Sequence, residues 1–566
     1  MSQRPLRRGV LASCCALLLG GPSCDTTLGS ADSDKATSLE VPAANQAGAL
    51  DVSPQGNNGA SAQRPPATPE IERESSFRAP VVTGKYVWSA NPDSGRVAII
   101  DAETYEIRAA EAGLRPTFVA AVTEQPPRAL VINTGSDSAT LLELADTGEI
   151  RTANVALHQG ADSWSVAPGG HFAIAWTDSA KATRPDATDG FQDITVLELP
   201  DGGTPIATRL TVGYRPSAFA FDAAGRRAFG ITEDGISVVE LAPRAVQLNR
   251  LVSLPSTART RPDVSVTPDG SRALARLEGS SLLYDVDLGS GETRELDLGG
   301  NLTDLDLSED GSRAVAVVQR SAEANTADAG APGDADPDGG GADAGASEPA
   351  ASASSEAVFI TMPAGLTDAA ARQTLRVPRE NFRSVALSSD GAHAVLFTTA
   401  RPTARVTLVD ANLAVRSLDL IAAVRAVFVT ADGASAIVLQ DPPSGSLKKG
   451  AFSVLSLASV RAPKLVASDA PAVAVALLPG NSERALVTVS DPGRRSFGAF
   501  LVRTPNLQVD FSSLSSEPLA SGTVPGAEKG FIAQLHPEGR ITFIDLNEGG
   551  AREITGFELS SKVVNE

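Results

Sequence analysis

Pro268-Asp269-Gly270-Ser271-Arg272-Ala273 is a tight turn that runs straight into an apolar strand. Asp hydrogen-bonds the local backbone and Gly accepts positive φ, so together they reverse the chain. The same turn-then-strand pattern returns in Gly225-Arg226-Arg227-Ala228, in Glu309-Asp310-Gly311-Ser312-Arg313-Ala314 and in Ser389-Asp390-Gly391-Ala392-His393-Ala394. Working outward, the period is about 45 residues and runs from Lys85 to the C-terminus, which marks a repeat architecture.

The first full unit contains Lys85-Tyr86-Val87-Trp88-Ser89-Ala90, Gly95-Arg96-Val97-Ala98-Ile99-Ile100-Asp101, Tyr105-Glu106-Ile107-Arg108-Ala109 and Arg115-Pro116-Thr117-Phe118-Val119-Ala120-Ala121-Val122. Each run has strand length and is bounded by Gly, Pro, Asn or Asp. Further units begin near Arg128, His171, Arg226, Ser271, Ser312, Ala392, Ala434, Arg484 and Phe531, making ten in all. Four short antiparallel strands per unit predict an all-β fold, a β-propeller of four-stranded blades. The last unit lacks an evident fourth strand, and Phe77-Arg78-Ala79-Pro80-Val81-Val82 is expected to supply it. That closure favours a single ring. Ten blades exceed the usual four to eight, so two smaller rings are the alternative.

Asn91-Pro92-Asp93-Ser94-Gly95-Arg96-Val97 leading to Ile100-Asp101 resembles the YVTN type of propeller repeat. So does Val212-Gly213-Tyr214-Arg215-Pro216-Ser217-Ala218-Phe219-Ala220-Phe221. The resemblance implies a propeller similar to the lactonase-like propellers, surface-layer proteins and exported bacterial proteins of that fold.

The N-terminus carries a different signal. Arg4, Arg7 and Arg8 precede an apolar stretch from Gly9 to Gly21. At 1.5 Å per residue this stretch is too short to span a bilayer and reads as an export signal over residues 1–23. Arg7-Arg8-Gly9-Val10-Leu11 resembles a twin-arginine export motif. Gly21-Pro22-Ser23-Cys24 resembles a bacterial lipobox, with Gly21 where Leu is usual. The resemblance implies cleavage before Cys24 and lipidation of that residue; plain secretion is the other reading. Cys14 and Cys15 would leave with the signal, so the mature chain has no disulfide framework.

Residues 24–76 are rich in Ser, Ala, Asp, Gln, Asn and Pro. Such a segment buries too little apolar area to offset ordering, and a disordered tether with a reach of roughly 40 Å is expected. The propeller is assigned to residues 77–566, with residues 321–355 as a disordered insert loop within the unit that starts at Ser312.

The protein has 566 residues, with 42% hydrophobic and only 4% aromatic, so Val, Leu, Ala and Ile must build the core. Its formal charge is −20, becoming −23 once residues 1–23 and their three arginines are removed. That balance repels nucleic acid and anionic lipid head groups. Any membrane contact is therefore expected through the lipid anchor alone.

Chemistry-bearing motifs are few. Asp334, Asp336 and Asp338 alternate before Gly339 like the start of a calcium loop. Gly345 stands where the loop needs Glu, so they are weak metal candidates. His158, His171, His393 and His536 show no ligand-pair spacing. His171 and His393 share a position with Arg227, Arg272 and Arg313 and read as solvated strand starts. Asp222, Asp269, Asp310 and Asp432 read as turn formers. No catalytic residue and no cofactor is nominated. The expected function is a non-enzymatic envelope binding or scaffolding module for a protein or glycan partner. A lactonase-like hydrolase of small esters or lactones is the alternative.

Overall fold

The computed structural model describes residues 79–178, 191–255, 262–320, 354–378, 380–478 and 481–557. Within them lie ten four-stranded antiparallel sheets, each built from four consecutive strands in simple order. The blades span residues 81–111, 116–156, 163–211, 218–253, 263–297, 301–376, 384–419, 424–468, 472–513 and 518–555, and are numbered 1 to 10 here.

The apolar runs explain this arrangement. Residues alternate across a strand, so a strand buried on both faces must be apolar at every position. In blade 1, Val87 and Ile100 pack with Phe531 and Phe543 of blade 10. Their neighbours Trp88 and Ile99 point the other way, against Ala129, Val131 and Leu142 of blade 2. In blade 2, Leu130 and Ile132 turn towards Ala173, Ala175 and Leu197 of blade 3. The pattern continues through every seam to blades 9 and 10. Ten apolar clusters occupy ten seams, and the first and last blades share one of them. The blades therefore form one closed ring, and the two-ring alternative is excluded.

The fourth strands lie at the rim and alternate in exposure, as in Ile150–Ala156 and Val415–Asp419. The first strands contact one another around the inside of the ring.

Two expectations need correction. Val81–Thr83 does not complete the last blade. It pairs with Tyr86–Asn91 in blade 1, with Val81 opposite Trp88. Blade 10 has its own first strand, Pro518–Val524. Each blade begins one strand before the turn, so the turn joins its first strand to its second. The ring closes by side-chain packing and by contacts such as Gly526 N–H to Gly84 O (3.1 Å), without strand exchange. The insert is also shorter than expected. Ser354 and Ser355 already pair with Arg320 and Gln319.

The turns form a second ring. In blades 5 to 8 a Thr or Ser hydroxyl donates to the Asp two residues on, at 2.6–2.7 Å. The same oxygen accepts the N–H five residues on, at 2.9–3.1 Å. The hydroxyls of Thr267 and Ser388 hold Asp269 and Asp390 below the usual carboxylate pKa. These aspartates are turn formers, as their sequence context implied. The basic residue that follows is more than a solvated strand start. Arg227 Nη2 donates to Asp269 O (3.1 Å) and Arg313 Nη1 to Gly391 O (3.0 Å), each reaching the next blade's turn.

Gly270 sits at φ +63°, and a Cβ there would lie 2.8 Å from both Asp222 Cβ and the Phe229 ring of blade 4. Gly270→Ala is expected to destabilise by about 2–4 kcal/mol, from left-handed strain and overpacking together. Phe543→Ala opens the closing seam and is expected to cost about 3–5 kcal/mol. Denaturant midpoints measure both effects, and hydrogen exchange of Phe543→Ala should lose protection first in blades 1 and 10.

Candidate functional site

One face of the ring carries the turns just described. The opposite face carries the hairpins between second and third strands and the connections from blade to blade. Two seam cavities open on this second face.

The cavity between blades 6 and 7 has a volume of about 440 Å³. Asn301 and Gln319 line it from blade 6. The blade connection supplies Glu380, Asn381, Phe382 and Arg383, and blade 7 supplies Phe397, Thr398, Arg401, Thr403, Arg405 and Thr407. The polar wall is fixed by hydrogen bonds. Gln319 Nε2 donates to Phe382 O (2.7 Å) and to Ser355 Oγ (2.9 Å). Glu380 accepts from the hydroxyls of Thr407 and Ser417 and lies 3.7 Å from Arg405 Nη1. Arg405 is held in turn by Asp419, with Nε 2.8 Å from Oδ1. Arg383 and Arg401 are exposed and make no ion pair among the described residues. Asn301 Oδ1 is buried without a hydrogen-bond partner. The cavity thus sets three arginines against one glutamate on an acidic protein. It suits a ligand that carries negative charge and accepts hydrogen bonds.

The second cavity lies between blades 1 and 2 and measures about 480 Å³. Its wall is mostly small and polar: Ser94, Gly95, Gly113, Ser136, Ser138 and Asn154, with Arg96 and Glu111.

The inside of the ring holds a third feature. Asn301–Leu307, the first strand of blade 6, presents three polar side chains on one side. Thr303 Oγ1 donates to Arg383 O (2.7 Å). Asp304 Oδ2 accepts from Val385 N–H and Asp306 Oδ2 from Leu387 N–H, each at 2.8 Å. The strand Ser384–Leu387 of blade 7 has no strand partner on that edge. The carboxylates stand in for one. Burial pushes both acids up, Asp306 to about 6, despite the hydrogen bonds from Val385 and Leu387 that favour ionisation.

Cys24 and the three aspartates Asp334, Asp336 and Asp338 lie outside the described residues, as do the export signal and tether. The described histidines sit in separate places: His158 between blades 2 and 3, His171 in blade 3, His393 in blade 7 and His536 in blade 10. His158 Nδ1 lies 2.9 Å from Thr195 Oγ1, and burial lowers its pKa. Among the described residues no three His, Cys, Asp or Glu side chains converge as a metal-ligand set. No helix among them is long and apolar enough to cross a membrane.

Sequence reasoning passed over Arg96, Arg383, Arg401, Arg405, Asp304 and Asp306. A signal existed for the aspartates: Asn301-Leu302-Thr303-Asp304-Leu305-Asp306-Leu307 alternates polar and apolar, where the corresponding strand of blade 4 reads Ala218-Phe219-Ala220-Phe221. The arginines carried no signal, because their convergence comes from different blades and connections.

No protein-family model matches the chain, and no curated protein does. Solved structures with a similar fold include the dihydro-heme d1 dehydrogenase NirN in complex with DHE, at 12% identity and TM-score 0.40, over 68% of this chain and 72% of that one. A eukaryotic initiation factor aligns at 12% identity and TM-score 0.41, over 72% of this chain and 91% of that one. The Kuenenia stuttgartiensis hydrazine synthase aligns at 14% identity and TM-score 0.32, over 67% and 96%. No residue role is transferred from these alignments.

Asp306 makes stability depend on pH. Its ordinary value is 3.8 and its folded value about 6. Between those values the folded state binds more protons than the unfolded chain, so stability falls as pH rises through that window. Asp306→Asn keeps an acceptor for Leu387 N–H and removes the charge. It is expected to be more stable than the wild type above pH 6, by roughly 3 kcal/mol. The difference should vanish near pH 3.5 in denaturant titrations across the range.

Proposed function

We propose that the chain is a non-catalytic binding module of the bacterial cell envelope, exported and held by a lipid on Cys24. It engages a protein or glycan partner through the cavity-bearing face of the ring. The observation that carries this reading is the blade 6–7 cavity, where Arg383 and Arg401 make no ion pair among the described residues and stand beside a fixed polar wall. Ligands of propellers and other rigid scaffolds are commonly met by loop residues held by the strands beneath. Here a blade connection carries Arg383, a hairpin of blade 7 carries Arg401, and the strands fix their spacing. A guanidinium pair at the mouth of a cavity favours carboxylate or sulfate groups, through paired N–H donors in fork geometry.

The basic n-region, short apolar stretch and Cys24 support the placement at the envelope. A single lipid chain binds membranes only marginally, whereas a lipoprotein-type anchor with several chains holds firmly. The acidic body is repelled by anionic head groups and would stand clear of the surface.

Two measurements test the reading. Cells labelled with a fatty-acid probe should incorporate it into the wild type and not into Cys24→Ser. Unlabelled wild type would refute the anchor. The immobilised mature chain should retain a partner from envelope extract, and Arg383→Glu with Arg401→Glu should weaken retention at least tenfold. Equal retention by both proteins would exclude the blade 6–7 cavity as the contact.

A further inference from the structure

The first residue of the third strand is an arginine in three blades: Arg96 in blade 1, Arg405 in blade 7 and Arg540 in blade 10. Two of them are held by hydrogen bonds. Arg405 Nε and Nη2 clasp the carboxylate of Asp419 at 2.8 and 3.4 Å. Arg540 is 3% exposed, and it donates to Ser516 Oγ (3.0 Å) and Thr555 Oγ1 (3.2 Å) with Glu553 at 3.4 Å.

Arg96 is as deeply buried, also 3% exposed, yet neither Nη1 nor Nη2 makes a hydrogen bond. Its nearest carboxylate oxygen, Glu111 Oε1, lies 3.7 Å away on a side chain that is 74% exposed. That is too long for a hydrogen bond. A guanidinium stays charged at any physiological pH and brings five N–H donors. Burying it with one distant carboxylate and no hydrogen bond to either Nη is unfavourable, and the same position is hydrogen-bonded in two other blades of the ring.

What adjoins Arg96 is the blade 1–2 cavity. Ser136 Oγ and Ser138 Oγ lie 2.8 Å apart, sharing one hydrogen bond. Two hydroxyls bring two protons, so one O–H on this wall is not used in that contact. Asn133 Nδ2 donates to Ser138 Oγ (3.2 Å) and to Thr140 Oγ1 (2.9 Å), which fixes the wall from behind. Leu114, 68% exposed, supplies an apolar rim.

We propose that Arg96 is the floor of a ligand site for an acidic sugar, and that it clasps the carboxylate of a uronic acid unit in a glycan. The carboxylate takes the place of Glu111 at the guanidinium. The sugar hydroxyls meet Ser136, Ser138 and Asn154, and its C–H face lies on Leu114. A monoanion fits better than a phosphate dianion, because Glu111 already brings one negative charge to the same wall. The proposal rests on the binding-module reading and names a ligand class for a cavity separate from the blade 6–7 site.

The test uses the mature full chain with D-glucuronate, D-glucose and N-acetyl-Ala-Ala as probes, read by thermal midpoint and isothermal titration. Glucuronate should stabilise the wild type and the Arg383→Glu/Arg401→Glu variant equally, which separates this site from the other cavity. Glucose and the peptide should not. Arg96→Met should weaken glucuronate binding about tenfold to a hundredfold, and Glu111→Gln should tighten it severalfold. Without ligand, Arg96→Met should raise the thermal midpoint, whereas Arg540→Met should lower it. A midpoint lowered by Arg96→Met as by Arg540→Met would make Arg96 a structural residue and overturn the proposal. So would a wild type indifferent to glucuronate, or one that responds to the peptide carboxylate instead of the sugar. If Arg96→Met does not fold, the Glu111→Gln titration decides alone: unchanged affinity overturns the proposal.

Discussion

Burial of both faces of every blade is the constraint on which the structure depends. A four-stranded sheet of Val, Leu, Ile and Ala has two sticky faces, and each must find a neighbour. Val87 and Trp88 are adjacent in sequence and buried in different seams, with blade 10 and blade 2 respectively. The same division runs round the ring, so an open row would leave two apolar faces in water. Closure removes them, and the Phe531–Phe543 layer of blade 10 against Val87 and Ile100 of blade 1 completes it. Because aromatics are scarce, no single seam dominates. Stability is spread over ten aliphatic layers of similar make-up.

The turn ring adds register to this packing. Apolar layers alone would tolerate sliding of one blade against the next. The hydroxyl–Asp–backbone turns fix the shape of each corner, and Arg227 and Arg313 tie a corner to the following blade. Small residues then become obligatory where corners meet, as Gly270 shows against Phe229. On the inside, Asp304 and Asp306 answer a related problem. The first strand of a blade has one edge without a strand partner, and these carboxylates satisfy two of its N–H groups. They do so at the expense of being partly desolvated, which is why burial lifts their pKa values.

One face of the molecule carries the turn contacts that tie neighbouring blades together. Both cavities lie on the second face, where blade connections and hairpins meet. The seam geometry repeats, but the side chains placed on it do not. Arg405 and Arg540 show that a third-strand arginine can be held by hydrogen bonds to nearby carboxylate and hydroxyl groups. Arg96 shows the same position left unabsorbed beside a cavity. A repeated frame with unequal partners is how a ring of like units acquires particular sites.

The amino-acid sequence determined the strand type, the number of units and the chemistry of the corners. These depend on short-range rules: alternation, turn residues such as Asp269-Gly270, and runs too apolar for a half-exposed sheet. It left the phase of the repeat ambiguous by one strand. A period of strands has no marked beginning, and Phe77–Val82 could equally open blade 1 or close blade 10. It also left the sites unseen, because Arg383 and Arg401 flank an entire strand pair and Asn301 comes from the previous blade. Tertiary structure alone decided those matters. Which edge Val81–Thr83 pairs with, and which buried arginine is left without a hydrogen bond to its Nη atoms, depend on contacts that no local pattern encodes.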